Sequence, residues 1–366
     1  MKREINARQC GILIFLCVLA NKFLLLPSLM YEQTGNDAII SLAILFALDF
    51  VVLPIFINLK KAYPDEKLFD LLAKKITKPI AVFIYIIFAF YFLIKAILTV
   101  DIVYAYLKQQ VYQGDFFWIA IISIIPVINH AVMKGMRVMT RTMEIFFILI
   151  LIGFFTCLGF SLFTSLTFPV FFTAPLSTIL TSSYKNAFSF GDFIVCFLIM
   201  DKIKLKKGEE KTLYKFTALA IGLIFALFII YYSRYQITSF MHNNALSDVL
   251  VFSIQFNAIG RLDIISMLTI MFITTFELEI FCFGFCDSVL NIFPLMTKSY
   301  VIVFFDVLAL LAYYLYFGRY EVIISAFSSW LIGFAIFINY IFPAICFLVF
   351  IFKGKNSFEK YENNTN

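Results

Sequence analysis

The apolar run from Cys10 to Tyr31 is long enough to cross a bilayer, yet Asn21 and Lys22 stand in its middle. A lysine near the bilayer centre costs at least about 2.5–3.5 kcal/mol on insertion scales. A chain that places one there has to solvate or pair it. Pro27 follows in the same run and lacks an amide hydrogen. The economical reading is a helix interrupted at Asn21–Lys22, with the break lining a polar cavity. Irregular backbone at membrane depth is tolerated only in such places.

The rest of the chain is of the same kind. Of 366 residues, 62% are hydrophobic and 14% charged, and Phe alone supplies 48. That balance belongs to a polytopic membrane protein and excludes a soluble domain. Hydropathy predicts ten spans: roughly 10–31, 36–58, 79–107, 116–133, 142–163, 187–203, 212–234, 262–286, 299–318 and 327–352. The first run is too long for a cleaved signal peptide, lacks a small-residue cleavage site and is followed by more spans. Tyr63 to Lys78 reads as an amphipathic helix with Leu68, Leu71, Leu72 and Ile76 on one stripe. Asn244 to Gly260 reads as a second segment lying at the membrane surface or dipping in.

Basic residues set the expected orientation. With ten spans and the N-terminus in the cytoplasm, twenty-two Lys and Arg fall on the cytoplasmic side. Only Lys108, Lys185, Arg234 and Arg319 fall outside, while Lys22, Lys95 and Arg261 lie in or near the membrane. The bias predicts both termini in the cytoplasm. The basic residues sit in short loops, so the net charge of +6 is not a nucleic-acid signal. The expected architecture is one transmembrane domain over 1–352 with a polar cytoplasmic tail, 353–366.

Spans one to five and six to ten start in opposite directions, and each half carries its extra segment between its second and third spans. This is what an inverted repeat of about 10–163 and 176–352 would produce. Span six should then be broken like span one. Leu176 to Asn186 fits a short half-helix, Phe188-Ser189-Phe190-Gly191-Asp192 the break, and Phe193 to Asp201 the second half. Gly191 permits the dihedrals a break demands. The plainer alternative is a loop over 164–186 with Asp192 as an N-cap.

Charged side chains inside the spans are the candidate site residues. Lys95 shares a helical face with Phe88, Tyr91 and Thr99. Glu277 and Glu279 are two apart and so point to different sides; Glu277 is the expected partner of Lys95. Arg137, Arg141 and Glu144 cluster at the inner end of span five, where Arg141 and Glu144 are spaced to pair. They are read as gating or structural groups, together with Pro27. Asp49 and Asp306 read as helix-packing carboxylates. Cys282 and Cys286 share a face but lack further ligands, so no metal is expected. No phosphate-binding loop or His-Glu-x-x-His run occurs, and the loops are too short for a catalytic domain. No enzyme activity and no cofactor are expected.

Several of these segments together resemble a known family. They are Ala7-Arg8-Gln9 at the start of span one, Leu25-Leu26-Pro27, and Tyr63-Pro64 with Leu68. Lys134-Gly135-Met136-Arg137 with Thr140, Arg141 and Glu144 follows, then Phe188-Ser189-Phe190-Gly191-Asp192. Their order and spacing are similar to the endospore germination permease-like family. These are the B subunits of nutrient germinant receptors, within the amino acid–polyamine–organocation superfamily. The resemblance implies ten helices in a five-plus-five inverted repeat with broken first and sixth helices. It also implies a nutrient site near those breaks, partner A and C subunits, and residence in the inner spore membrane. Carried onto this chain, the ligand-binding set is Asn21, Lys22, Phe23, Tyr91, Lys95, Ser189, Phe190, Gly191, Asp192 and Glu277. Relatives often have small residues at the first break and Glu in place of Asp192. Here Lys22 would bind a ligand carboxylate or take the place of a coupling cation. The implied function is sensing of a small, amino-acid-like nutrient. A secondary amino acid or amine transporter and an ion- or water-conducting channel subunit are the alternatives.

Overall fold

The computed structural model describes residues 5–110, 117–162, 170–242, 244–251, 263–316 and 330–352. Among these the chain is helical, with a single parallel β-bridge between Ile5 and Ile203. Arg261, Arg319, the 252–260 part of the second interfacial segment and the basic tail lie outside the described residues.

The first apolar run forms two helices, α1 (Ala7–Leu19) and α2 (Leu26–Thr34). A capping box of Asn6 and Gln9 starts α1. Ala20 to Leu25 is the break, with Asn21 at φ 56°. Pro27 sits in the first turn of α2, where a missing N–H leaves nothing unsatisfied. A turn at Gly35–Asp37 leads into α3 (Ala38–Ala62). The amphipathic segment is the shorter α4 (Leu68–Lys75), which buries Leu68, Leu71 and Leu72.

Three long helices follow: α5 (Lys78–Gln110), α6 (Phe117–Lys134) and α7 (Met136–Ser161). Gly135, at φ 91°, turns the chain between the last two. The second interrupted segment comprises α8 (Leu176–Asn186), a tight turn at Ala187–Ser189, and α9 (Ile194–Leu198). The remaining elements are α10 (Glu210–Tyr235), the short α11 (Ala245–Val251), α12 (Asp263–Ile292) and α13 (Lys298–Tyr316). The last, α14, passes from Trp330 through a π-helical turn at Phe337–Ile341 into Phe342–Phe352.

Six helical stretches among the described residues are long and apolar enough to cross a membrane. They are Leu26–Ala62, Lys78–Lys108, Met136–Ser161, Glu210–Met241, Ile264–Ile292 and Trp330–Phe350. The chain is an integral membrane protein. Helix α7 shows how such a helix faces lipid: Ile145, Ile148, Leu149, Ile152 and Phe155 are exposed on one side, while Phe147, Ile150, Phe154 and Cys157 are buried on the other.

The interrupted segments occupy the middle of the bundle. Every residue of α1 except Arg8 is buried, and so is all of α9. A helix apolar all round belongs inside a bundle, and α1 packs against α10, α7 and α12. The two interrupted segments are also tied at both ends. At one end, Ile5 N donates to Lys202 O (2.8 Å) and Lys204 N to Ile5 O (2.9 Å). At the other, Asp37 accepts from the amides of Phe172, Thr173 and Ala174 and from the Thr173 hydroxyl, while Asn186 Nδ2 donates to Gln33 Oε1 (2.9 Å).

Candidate functional site

The freed backbone at the first break has partners. Ala245 N donates to Leu24 O (3.3 Å) and Leu246 N to Phe23 O (3.1 Å), so the start of α11 caps the break. Tyr232 donates its hydroxyl proton to Pro27 O (2.8 Å). Phe23 is buried with its ring edge-on to Phe154. Each such bond matters at membrane depth, where no water would substitute.

Lys22 is fully buried. Its ammonium donates to Ala20 O (3.2 Å) and Cys17 O (3.4 Å) and lies 5.0 Å from the Phe190 ring centroid. Among the described residues it has no carboxylate within ion-pair distance.

At the second break, Phe190 is extended, Gly191 has φ 94° and Asp192 has φ 57°. A side chain at Gly191 would run into Asn339, whose Nδ2 donates to Phe190 O (3.1 Å) and to the Tyr91 hydroxyl (2.8 Å). The glycine therefore meets two demands at once, an unusual dihedral and a close approach. Asn339 itself comes from the π-helical turn of α14, a feature that often re-aims side chains at functional sites.

Asp192 is the partner of Lys95, at 3.0 Å, and the two side chains are only 2% and 3% exposed. Tyr91 donates to the same carboxylate (2.7 Å). Phe188 lies 4.8 Å from the Lys95 ammonium and Tyr91 5.7 Å. The expected face of Tyr91, Lys95 and Thr99 on α5 is thus present, but the expected Lys95–Glu277 pair is not. Asp192 wins because its positive-φ backbone turns the carboxylate out of the break toward α5, where it reaches both Lys95 and Tyr91.

Glu277 instead takes part in a second cluster. Its Oε1 accepts from Thr99 (3.1 Å) and from the Asn21 amide. Asn21 Nδ2 also donates to Thr99 Oγ1 (2.9 Å). A third carboxyl, Asp49 in α3, is fully buried and accepts from the Tyr340 hydroxyl (2.8 Å). Asn339 and Tyr340 are not among the residues the sequence singles out, and Asp49 and Thr99 are read there only as a packing carboxylate and as part of the Lys95 face; a lone amide in the last apolar run is the available signal for Asn339.

A cavity of about 160 Å³ opens beside these clusters. Its polar walls are Asn21, Lys95, Asn186, Ser189 and Lys185, and its apolar walls include Leu26, Phe188 and Ile332. The two breaks, Lys95 and a hollow therefore lie together, as a wet site beside a membrane-buried lysine requires.

The expected gating residues fall elsewhere. Arg137 lines a second cavity of about 390 Å³ with Lys67, Asp201, Asp287 and Lys298, near the Ile5–Ile203 bridge, where Lys202 pairs with Asp287 at 2.8 Å. Glu144 pairs with Arg8 (3.1 Å) and accepts from Gln9 (3.2 Å); Arg141 is exposed and does not pair with it. The carboxylate points across to the start of α1 rather than along its own helix. Asp306 accepts from the Asn129 side chain (2.6 Å). All seven cysteines are buried and free.

Residues 4–322 match the family model described as spore germination protein. No curated protein matches the chain.

Proposed function

We propose that this chain, which belongs to the spore germination protein family, is the nutrient-sensing, permease-like subunit of a germination receptor. A small, amino-acid-like nutrient binds in the cavity between the two breaks. The observation that carries this reading is that both interrupted segments, through Asn21 and Ser189, line one cavity with Lys185 and with Lys95, whose ammonium is paired with the buried Asp192. The chain then spans the membrane ten times as a five-plus-five inverted repeat of the amino acid–polyamine–organocation type. Both termini lie in the cytoplasm and the inner spore membrane is its place. The chain acts with A and C subunits and performs no catalysis.

Asp192 anchors α5 to one break, Asn339 ties α14 to the same break through Phe190 O, and Asn21 anchors α5 and α12 to the other. A ligand between them interacts differently with open and closed arrangements, and differential affinity is all that is needed to shift a population. Of the remaining ligand-set residues, Ser189 lines this gap, next to Phe188, while Phe23 and Phe190 are buried beside the breaks.

Spores carrying Lys95→Met, with the protein still present by immunoblot, should lose nutrient-triggered germination. Germination at wild-type rates with that variant would remove the site from the sensing step. Net uptake of labelled nutrient by the purified chain alone in vesicles would instead favour a transporter. Ion conductance without nutrient dependence would favour a channel subunit.

A further inference from the structure

The larger cavity, about 390 Å³, lies away from the breaks, at the end of the bundle where Ile5 bridges to Ile203. Four cations line it, Lys67, Arg137, Lys202 and Lys298, against two carboxylates, Asp201 and Asp287. Asp287 is already engaged: it takes the Lys202 ammonium at 2.8 Å and accepts from Asn291 Nδ2 (3.0 Å). Among the described residues, Lys67, Arg137 and Lys298 have no carboxylate within ion-pair distance. The walls therefore carry two positive charges in excess, and the cations that supply them stand on three different elements.

The backbone adds to the same field. Helix α7 begins at Met136 and α13 at Lys298, so the positive ends of two helix dipoles meet at this cavity. The residue before α7 is Gly135, which has no side chain to satisfy the first amides. Neither helix carries an acidic residue in its first turn to offset its dipole. Leu290 and Lys298 both line the cavity, and the turn that joins them exposes Phe293, Leu295 and Met296. A basic hollow between helices with an apolar rim suits an anionic headgroup at the bilayer surface.

We infer that this cavity binds a phosphoryl group, held by Arg137, Lys67 and Lys298 and by the amides at the start of α7. A phosphate monoester carries about two negative charges at neutral pH, which matches the excess on the walls. Two sources supply that chemistry, the headgroup of an anionic phospholipid reaching in past the α12–α13 turn and a soluble phosphate. Arg137 offers a planar fork that fits two phosphate oxygens, and the lysines add point charges. Bound there, the anion links the approach to α4 with the starts of α7 and α13. The site is separate from the proposed nutrient cavity and does not rest on it.

The test uses the full chain in detergent, stripped of lipid, at constant ionic strength. Binding of inorganic phosphate, short-chain phosphatidic acid and short-chain phosphatidylcholine is measured by equilibrium dialysis or calorimetry. Phosphate or phosphatidic acid should bind. Arg137→Gln should weaken that probe by about 3- to 10-fold, and Lys67→Gln added to it should weaken it further. Both side chains are exposed, so the variants should fold. Lys207→Gln removes the same charge from an exposed position outside the cavity and should change nothing. Phosphatidic acid that excess phosphate displaces shares its site with the soluble anion. If it binds and is not displaced, the membrane is the source; if phosphate alone binds, the source is soluble. Phosphatidylcholine binding as tightly as phosphatidic acid would overturn the inference, as would an equal loss from Lys207→Gln. So would unchanged affinity in the double variant, or no binding of either phosphoryl probe to the wild-type chain.

Discussion

Removing one partner of the Lys95–Asp192 pair strands the other in a dry place. Both side chains are at most 3% exposed, so the survivor cannot turn to water. Breaking a buried pair from one side costs about 3–5 kcal/mol. After Lys95→Met, Asp192 keeps one hydroxyl from Tyr91; after Asp192→Asn, Lys95 keeps the faces of Phe188 and Tyr91. Those contacts hold each single loss toward the lower end, about 3 kcal/mol. In the double variant no charge is left unpaired, so its total should be well below the sum of the singles. A coupling energy of about 2–3 kcal/mol follows, against additivity within about 0.5 kcal/mol for independent sites. Reversible unfolding in mixed detergent–SDS micelles measures it. Lys95→Met combined with Glu277→Gln, by contrast, should show far less coupling, because Asn21 and Thr99 hold Glu277. Additive losses for Lys95 and Asp192, or stronger coupling of Lys95 to Glu277, would refute the assignment of the pair.

Gly191→Ala should cost roughly 2–5 kcal/mol in the same assay, from a left-handed backbone and a clash with Asn339. Because the Asn339 Cβ is itself among the clashing atoms, at 2.5 Å, Asn339→Gly rather than Asn339→Ala in the same chain should relieve the clash and not the backbone strain; no loss at all from Gly191→Ala would contradict the close approach. Orientation can be read with a membrane-impermeant maleimide, since the native cysteines are buried and should stay silent. Phe172→Cys should label from outside intact cells and Lys207→Cys only after permeabilisation, as both positions are exposed. The reverse pattern would invert the proposed topology.

The parts of this site that were legible in the sequence are those that violate the apolar background. Lys22 and Asn21 marked the first break because a charge in hydrocarbon demands one. Leu176–Asn186 is legible as a half-helix because an inverted repeat asks span six to break as span one does, and α8 has those bounds. The Tyr91–Lys95–Thr99 face came from helical spacing alone. What could not be read is which distant group each face meets. Spacing points Lys95 to Glu277, whereas its partner is Asp192, which the sequence offers only as part of the break and which stands at positive φ beside Gly191. Asn339 was hidden for a similar reason. A π-helical turn has no strong sequence mark, and it shifts the register of every side chain after it.

The two buried lysines solve one electrostatic problem in two ways, and the difference bears on what each does. Lys95 is neutralised by a carboxylate from another segment, so it links two parts that can move apart. Lys22 is neutralised by the end of its own helix. α1 stops at Leu19; Leu16 O and Leu19 O still accept from the amides of Ala20 and Lys22, while the break denies Cys17 O the amide four residues on. Those carbonyls also carry the negative end of the helix dipole. The ammonium two residues beyond the Ala20 carbonyl folds back onto that carbonyl and onto Cys17 O. An unbroken helix would spend the Cys17 carbonyl on the amide of residue 21, leaving the lysine without an acceptor. A neutral side chain at 22 would leave the carbonyls bare. Break and charge therefore each require the other, and neither needs a ligand. Lys22 is thus held by the carbonyls of its own interrupted helix, and Lys95 by a carboxylate of the other break.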